Sequence, residues 1–367
     1  MRALLLFPLL AACEQEYEVV PKLPDVNPGD VTECGFTRVE DTAFYRYDCN
    51  PVFSTTGEGW ADSIGSTTFL VTEVLGHPFY QMWYTGVPQT SETEFGLGYA
   101  VSPDGTEWTP HPDNPLLTQP DDRDQWDADA MDGMASLWDP TENKYLILYQ
   151  GYNLGGTTDW GLGVAVSPDG VDWQRIRSNP VVNLQDPSSS VQYCWPLGLE
   201  LGDVAGYTGY VAGGAGRSQK CEAYRINGRD VDTWIPDEDP VFEAGADGQW
   251  DDEGFIQLAI AELDGKKHMF YVGFGEWVDH PTEENVIVAN HSFVGMATNE
   301  GGEWVRDGQV PINLTEDGEV SAIAARTVGT RIHLWVTDNY DGESAVGYFL
   351  YDPEAAEAED NGGGDSG

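Results

Sequence analysis

Acidic residues recur behind tryptophans at three places in this chain: Trp60-Ala61-Asp62, Trp126-Asp127-Ala128-Asp129 and Trp250-Asp251-Asp252-Glu253. Carboxylates at matched places in a repeated structure can meet at one site. There, one kept ionised serves as base or nucleophile and another kept protonated serves as acid. A plainer reading exists for Asp127 and Asp251, which directly follow their tryptophans: a turn or cap residue whose carboxylate accepts backbone N–H bonds. Asp132 competes with Asp129 for an inward place in the second run. The series Asp127, Asp129, Asp132, Gly133 approaches a calcium loop, but its third acid falls one residue late. Other chemistries lack their signatures. No Cys-x-x-Cys occurs, the 6 histidines show no repeated metal spacing, no glycine-rich phosphate loop follows a strand, and no serine nucleophile elbow is present.

The elements that must position these carboxylates are set by an internal repeat. Gly96 to Trp108 reads GLGYAVSPDGTEW and Gly161 to Trp173 reads GLGVAVSPDGVDW. Small and apolar residues before Ser-Pro-Asp-Gly predict a strand, and Pro-Asp-Gly predicts a tight turn into a second strand near the tryptophan. Degenerate copies end at Trp234 and Trp304. A second marker follows each copy: Asn114-Pro115, Asn179-Pro180, Asp239-Pro240, Val310-Pro311 and, near the start of the chain, Asn50-Pro51. Between the markers lie aromatic strands such as FYQMWY (Phe79 to Tyr84), KYLILY (Lys144 to Tyr149) and HMFYVG (His268 to Gly273), which read as packing strands. Five such units, each long enough for about four short strands, predict an all-β, five-bladed β-propeller rather than a solenoid. The last unit lacks its closing strand, and Phe44 to Phe53 can supply it. The N-terminal strand is therefore expected to complete the last blade and remove the free sheet edges.

Bulk composition narrows the partners. With 63 Asp and Glu against 17 Lys and Arg, the net charge is −46, which repels nucleic acid over the whole surface. The plain reading is a solvated acidic surface. No cofactor is expected, and a structural calcium is the lesser alternative to that solvated surface. Arg217 and Arg225 stand out where bases are scarce, and either could pair an acidic ligand group or an acidic neighbour.

Residues 1–12 combine Arg2, an apolar run from Ala3 to Leu10 and the small pair Ala11-Ala12, the pattern of an export signal too short to span a bilayer. The ending Leu10-Ala11-Ala12-Cys13 resembles the bacterial lipobox, which implies a lipid on Cys13 and a chain held by that anchor alone at the outer membrane or cell surface. An ordinary secretory signal with an incidental cysteine is the alternative. Residues 13–33 read as a linker, 34–352 as the propeller, and 353–367, acidic and glycine-rich, as a disordered tail. The remaining cysteines, Cys34, Cys49, Cys194 and Cys221, suggest two disulfides. Of the three connectivities, Cys34 with Cys49 and Cys194 with Cys221 closes the shortest loops. A monomer is expected.

The Ser-Pro-Asp-Gly-x-x-Trp hairpin, the Asn-Pro after it and the aromatic strand ending Tyr-x-Gly (Trp83-Tyr84-Thr85-Gly86) resemble the five-bladed propeller glycoside hydrolases, families 43 and 32 and their relatives, with the mannoside phosphorylases nearby. The likeness covers roughly residues 40–352 and concerns the scaffold rather than the reaction. It implies carbohydrate in a central funnel and carboxylates on the innermost strands, which should follow each opening tryptophan. Asp62 would then be the base or nucleophile, Glu253 the acid and Asp129 the group that keeps that acid protonated. Glu253-Gly254-Phe255 is similar to the Glu-Gly-Pro of family 43 with Phe in place of Pro, and Asp62 lacks the Asp-Pro context usual there. Trp195, Trp277, Tyr152, Tyr193 and Trp160 fall at loop or strand ends, where rings can stack on sugars or simply pack blades. With Arg217, the first three complete the expected substrate contacts. The alternative is a catalytically inactive surface lipoprotein that binds a glycan or a protein.

Overall fold

A computed structural model of the protein describes residues 34–55, 60–74, 76–87, 95–153, 159–177, 179–186, 196–201, 206–214, 220–275, 277–279, 287–289, 291–308, 312, 314, 319–340 and 343–356. Cys13 and the other residues of the expected signal and linker, Tyr193, Cys194, Trp195, Arg217 and most of the acidic tail lie outside the described residues.

The fold is a five-bladed β-propeller. Its innermost strands, Ser63–Val74, Ala130–Asp139, Pro196–Leu201, Gly254–Leu263 and Ala322–Val328, each open one blade, numbered I to V in that order. Each packs against the innermost strand of the next blade, and that of blade V packs against that of blade I, so the ring closes around a channel. The second strands are His77–Val87, Lys144–Asn153, Tyr207–Gly213, Lys266–Phe274 and Arg331–Tyr340. The sheet of blade V is completed from the other end of the chain: Phe44–Tyr47 and Phe53–Ser54 both pair with Glu343–Tyr351. This is the expected closure.

Hydrophobic clusters lie at the five blade junctions. Leu70, Trp83, Met131 and Tyr149 join blades I and II, for example, and Phe270, Val272, Ile323 and Phe349 join IV and V. Each sheet is therefore covered on both faces, which is why the second strands read as continuous apolar runs instead of alternating ones. Met82, Trp83 and Tyr84 are all fully buried.

The repeat motifs hold these junctions. The Gly105 carbonyl accepts from the indole of Trp108 in its own blade (3.1 Å) and of Trp335 in the preceding one (3.0 Å). Gly170 does the same for Trp173 (2.9 Å) and Trp83 (2.8 Å). Both glycines have positive φ, 86° and 84°, as the turn requires. The asparagine of each Asn-Pro acts as a substitute strand. Asn114 accepts from the Tyr99 N–H through Oδ1 and donates to the Tyr99 carbonyl through Nδ2, and Asn179 does so with Val164 and Asn50 with Tyr348. The three Asn-Pro bonds are cis.

Cys34 and Cys49 are disulfide-bonded, as expected. Cys221 is buried at the start of the third strand of blade III, and its expected partner, Cys194, lies outside the described residues.

Candidate functional site

All three carboxylates singled out by their tryptophans stand one residue before an innermost strand. Each makes the same backbone bond, donating to the carbonyl of a residue at or near the end of its own second strand: Asp62 to Val87 (2.9 Å), Asp129 to Tyr152 (3.0 Å) and Glu253 to Phe274 (3.2 Å). The register confirms the match. Ile64, Met131 and Phe255 lie opposite Gly86, Gly151 and Gly273, and each carboxylate precedes its marker by two residues. They therefore occupy one ring at the channel end where the innermost strands begin. In blade V the same bond comes from Ser321, which donates to Thr337 (2.9 Å).

The tryptophans before them have a packing reason. Trp60, Trp126 and Trp250 stack on Tyr84, Tyr149 and Tyr271, with ring centroids 5.8, 5.7 and 5.7 Å apart. Each lies over the glycine two residues after that tyrosine. A methyl group added at Gly86 would come within 2.2 Å of the Trp60 ring, and at Gly151 within 2.6 Å of Trp126. The Tyr-x-Gly ending is thus a seat for the opening tryptophan.

Asp127 and Asp251 differ from the turn or cap role expected of them. Both are fully buried and ion-paired: Asp127 with Arg175 (2.6 Å) and Asp251 with Arg306 (3.0 Å). Each also accepts from a tyrosine, Tyr149 (2.9 Å) and Tyr271 (3.1 Å). The two arginines also reach carbonyls beyond their own sheets, Thr118 and Glu243, and so tie each blade to the one before it. These are structural ion pairs outside the channel.

Glu253 is half-buried and held by its neighbours. Its carbonyl accepts from the Cys221 N–H (2.8 Å), and the Phe255 N–H donates to the Cys221 carbonyl (2.9 Å), so Glu253-Gly254-Phe255 straddles Cys221 of blade III. Gly254 has φ 113°, and a methyl group there would sit 2.0 Å from the Cys221 carbonyl oxygen. Asp129 is half-buried and Asp62 exposed.

Asp132 lies three residues beyond Asp129, on the innermost strand of blade II itself. The innermost strand of blade II bulges at Gly133, with φ 51°, and blades I, III and IV have irregularities near the same level. Such bulges re-aim side chains. Asp132 Oδ1 is buried without a hydrogen-bond partner and faces Gly65 of blade I, where an added methyl group would lie 3.2 Å away. Burial raises its pKa above the ordinary aspartate value, against the opposing pull of the Gly133 N–H and the Ser66 hydroxyl. A raised folded-state pKa means the native protein holds a proton that the unfolded chain has released, so stability falls as pH rises from the ordinary aspartate range through the folded value. Asp132→Asn is therefore expected to melt several degrees higher than the native protein at neutral pH, with the gap closing toward pH 4. Thermal melts across that range check it, and a constant gap would remove the titration argument.

The expected substrate contacts divide. Tyr152 pairs in register with Ala130, beside Asp129, and its ring stacks on Trp160 at 4.8 Å and 20°. This puts an aromatic pair next to one carboxylate. Trp277 begins a two-stranded ribbon, Trp277–Asp279 with Ile287–Ala289, that leaves the second strand of blade IV at the Glu253 end. Arg225 pairs with Asp237 (2.7 Å) on the outer part of blade III, the acidic-neighbour role. Among the described residues no group of three or more His, Cys, Asp or Glu could hold a metal ion.

No protein-family model and no curated protein matches the sequence, whereas solved structures match the fold. A glycosyl hydrolase from Bacteroides ovatus aligns over 88% of this chain and 94% of its own at 16% identity, with a TM-score of 0.58. A thermostable family-43 glycoside hydrolase aligns over 78% and 88% at 14% identity and 0.53. An N-acetylgalactosamine deacetylase from F. plautii, solved with a blood group B trisaccharide, aligns over 80% and 90% at 13% identity and 0.57. At these identities the likeness shows the propeller fold that this chain shares with carbohydrate-handling proteins.

Proposed function

We propose that this propeller binds carbohydrate at the channel end where its innermost strands begin and hydrolyses an O-glycosidic bond there. The observation that carries the reading is the shared register of Asp62, Asp129 and Glu253: three carboxylates delivered to one ring by three blades, each through the same backbone bond. Glycoside hydrolysis needs a carboxyl group that protonates the leaving oxygen and a carboxylate that attacks the anomeric carbon or activates water against it. Glu253 is assigned the acid because its backbone is clamped on both sides by Cys221. Asp62, the exposed member, is the base or nucleophile. Asp129 stands beside the Tyr152–Trp160 pair and orients sugar stacked on it.

The experiment is hydrolysis of a panel of aryl arabinosides, xylosides, fructosides, galactosides and mannosides by the protein and by Glu253→Gln. Activity that the variant loses supports the assignment. No activity on the panel, with no shift in melting temperature on adding oligosaccharides, overturns it.

A second reading, carbohydrate binding without cleavage, has its own observation. At the register level of Asp132, blades I and IV carry Gly65 and Ile256, so the acid has no carboxylate counterpart from those blades there. Binding that raises the melting temperature, with no turnover of the same sugars, would favour it.

Export and a lipid on Cys13 are proposed on the N-terminal sequence alone. In a bacterial host, Cys13→Ser is expected to abolish incorporation of labelled fatty acid. Undiminished labelling would place any lipid elsewhere.

A further inference from the structure

The middle of the channel, beyond the carboxylate ring, contains a cavity of about 50 Å³. Its lining has an unusual charge for this protein. Thr67, Thr68, Ser136, Gln257 and Arg326 supply the polar groups, and among the described residues no carboxylate lines it, although the chain has 63 Asp and Glu. A buried guanidinium is ordinarily matched by an acid. Arg175 and Arg306 follow that rule through Asp127 and Asp251. Arg326 does not. Among the described residues its one hydrogen bond is from Nη1 to the carbonyl of its own neighbour, Ala325 (2.8 Å), which leaves most of its donors without a described acceptor. Burial, with no compensating charge, pulls its pKa down to about 10, so it still carries a full positive charge at neutral pH.

A second polar side chain lines the same space. Gln257 is 3% exposed, and its Oε1 accepts from the Ile323 N–H (2.9 Å). That bond fixes the amide orientation, because only the oxygen can accept, and among the described residues the Gln257 NH₂ has no acceptor, while the residue lines the cavity. The hydroxyls nearby are already paired, Thr68 with Ser136 (2.8 Å) and Thr67 with Thr337 (3.1 Å), and they close the wall.

We propose that this cavity is a binding site for a small monovalent inorganic anion of the chloride class, held between the Arg326 guanidinium and the Gln257 amide. The space exceeds the roughly 10–15 Å³ that one water needs, so an ion with a water or two fits, whereas a sugar or nucleotide does not. The net charge of −46 does not forbid it. Distant surface charges are screened over about 8 Å at physiological salt, while Arg326 acts at contact. The site is independent of the hydrolytic reading, since it uses none of the rim carboxylates.

The test is thermal melting of the full chain as chloride replaces gluconate at constant ionic strength, which holds screening fixed. A ligand that binds only the folded state raises the melting temperature by an equal step for each tenfold increase above its dissociation constant. The native protein is expected to show that rise and Arg326→Met to lose it. Should Arg326→Met not fold, Arg326→Lys and Gln257→Leu serve instead, each expected to move the response to higher chloride. Bromide soaked into crystals should give an anomalous peak beside Arg326. A melting temperature indifferent to chloride, a response unchanged in all three variants, or bromide peaks only at surface positions would overturn the site.

Discussion

Glutamine at position 253 is expected to lower the hydrolytic rate by about 10²–10⁴-fold, the usual worth of a positioned general acid, while leaving the melting temperature within a degree or two of native. Glutamine keeps the size of the side chain and loses only the transferable proton. Its neighbour tests how the acid is held. Gly254→Ala puts a methyl group 2.0 Å from the Cys221 carbonyl oxygen at a φ of 113°, a backbone region that side chains rarely adopt. Strain alone costs about 1–3 kcal/mol. Relieving the clash also breaks one or both bonds between Cys221 and the Glu253–Phe255 backbone, at about 0.5–1.5 kcal/mol each. A shift of about 1 Å in Glu253 would then cost about 10²-fold in rate. Gly265→Ala is the control, because its φ is 73° but nothing lies within 4 Å of the added methyl. If the two glycine variants lose equal stability and neither loses activity, the Cys221 clamp does not position the acid.

The largest stability effect is expected at Arg306. Replacing it by leucine strands the Asp251 carboxylate, 1% exposed, with Tyr271 as its remaining side-chain partner. It also removes a guanidinium stacked 4.3 Å over Phe242 and the tie to Glu243 in blade III. Breaking one side of a buried pair costs about 3–5 kcal/mol, most of it the penalty of an uncompensated charge. The repeat itself suggests the rescue. In blade I the positions equivalent to Asp251 and Arg306 carry Ala61 and Pro110, so acid and base are absent together. Asp251→Ala combined with Arg306→Leu should therefore recover most of the loss, giving a large favourable coupling in a double-mutant cycle followed by denaturant unfolding. Additive losses would show that the arginine acts by packing and not by pairing.

Much of the scaffold was legible in the residues because its signals are local and repeated. The turn Ser-Pro-Asp-Gly, the Asn-Pro and the apolar second strands each report on a few neighbouring residues, and their recurrence implied blades. The absence of a last strand after Ile312, with a spare one at Phe44 to Phe53, implied the closure. Matched tryptophans likewise led to Asp62, Asp129 and Glu253, since an equal place in the repeat is an equal place in the ring.

What the linear pattern did not decide is which side chains meet across strands and around the ring. Asp127 and Arg175 are far apart in sequence, and the turn reading of Asp127 yielded to an ion pair that forms only when the outermost strand of blade II folds back beside the start of its innermost one. Arg326 carried no motif at all. Its charge became a binding feature because closing the ring surrounded it with apolar and neutral walls, a property of the assembled channel and of no single segment. Local propensity and repetition thus determined the blades and their order, and the closed packing of five sheets decided which polar groups are structural, which face the channel and which are left to hold a ligand.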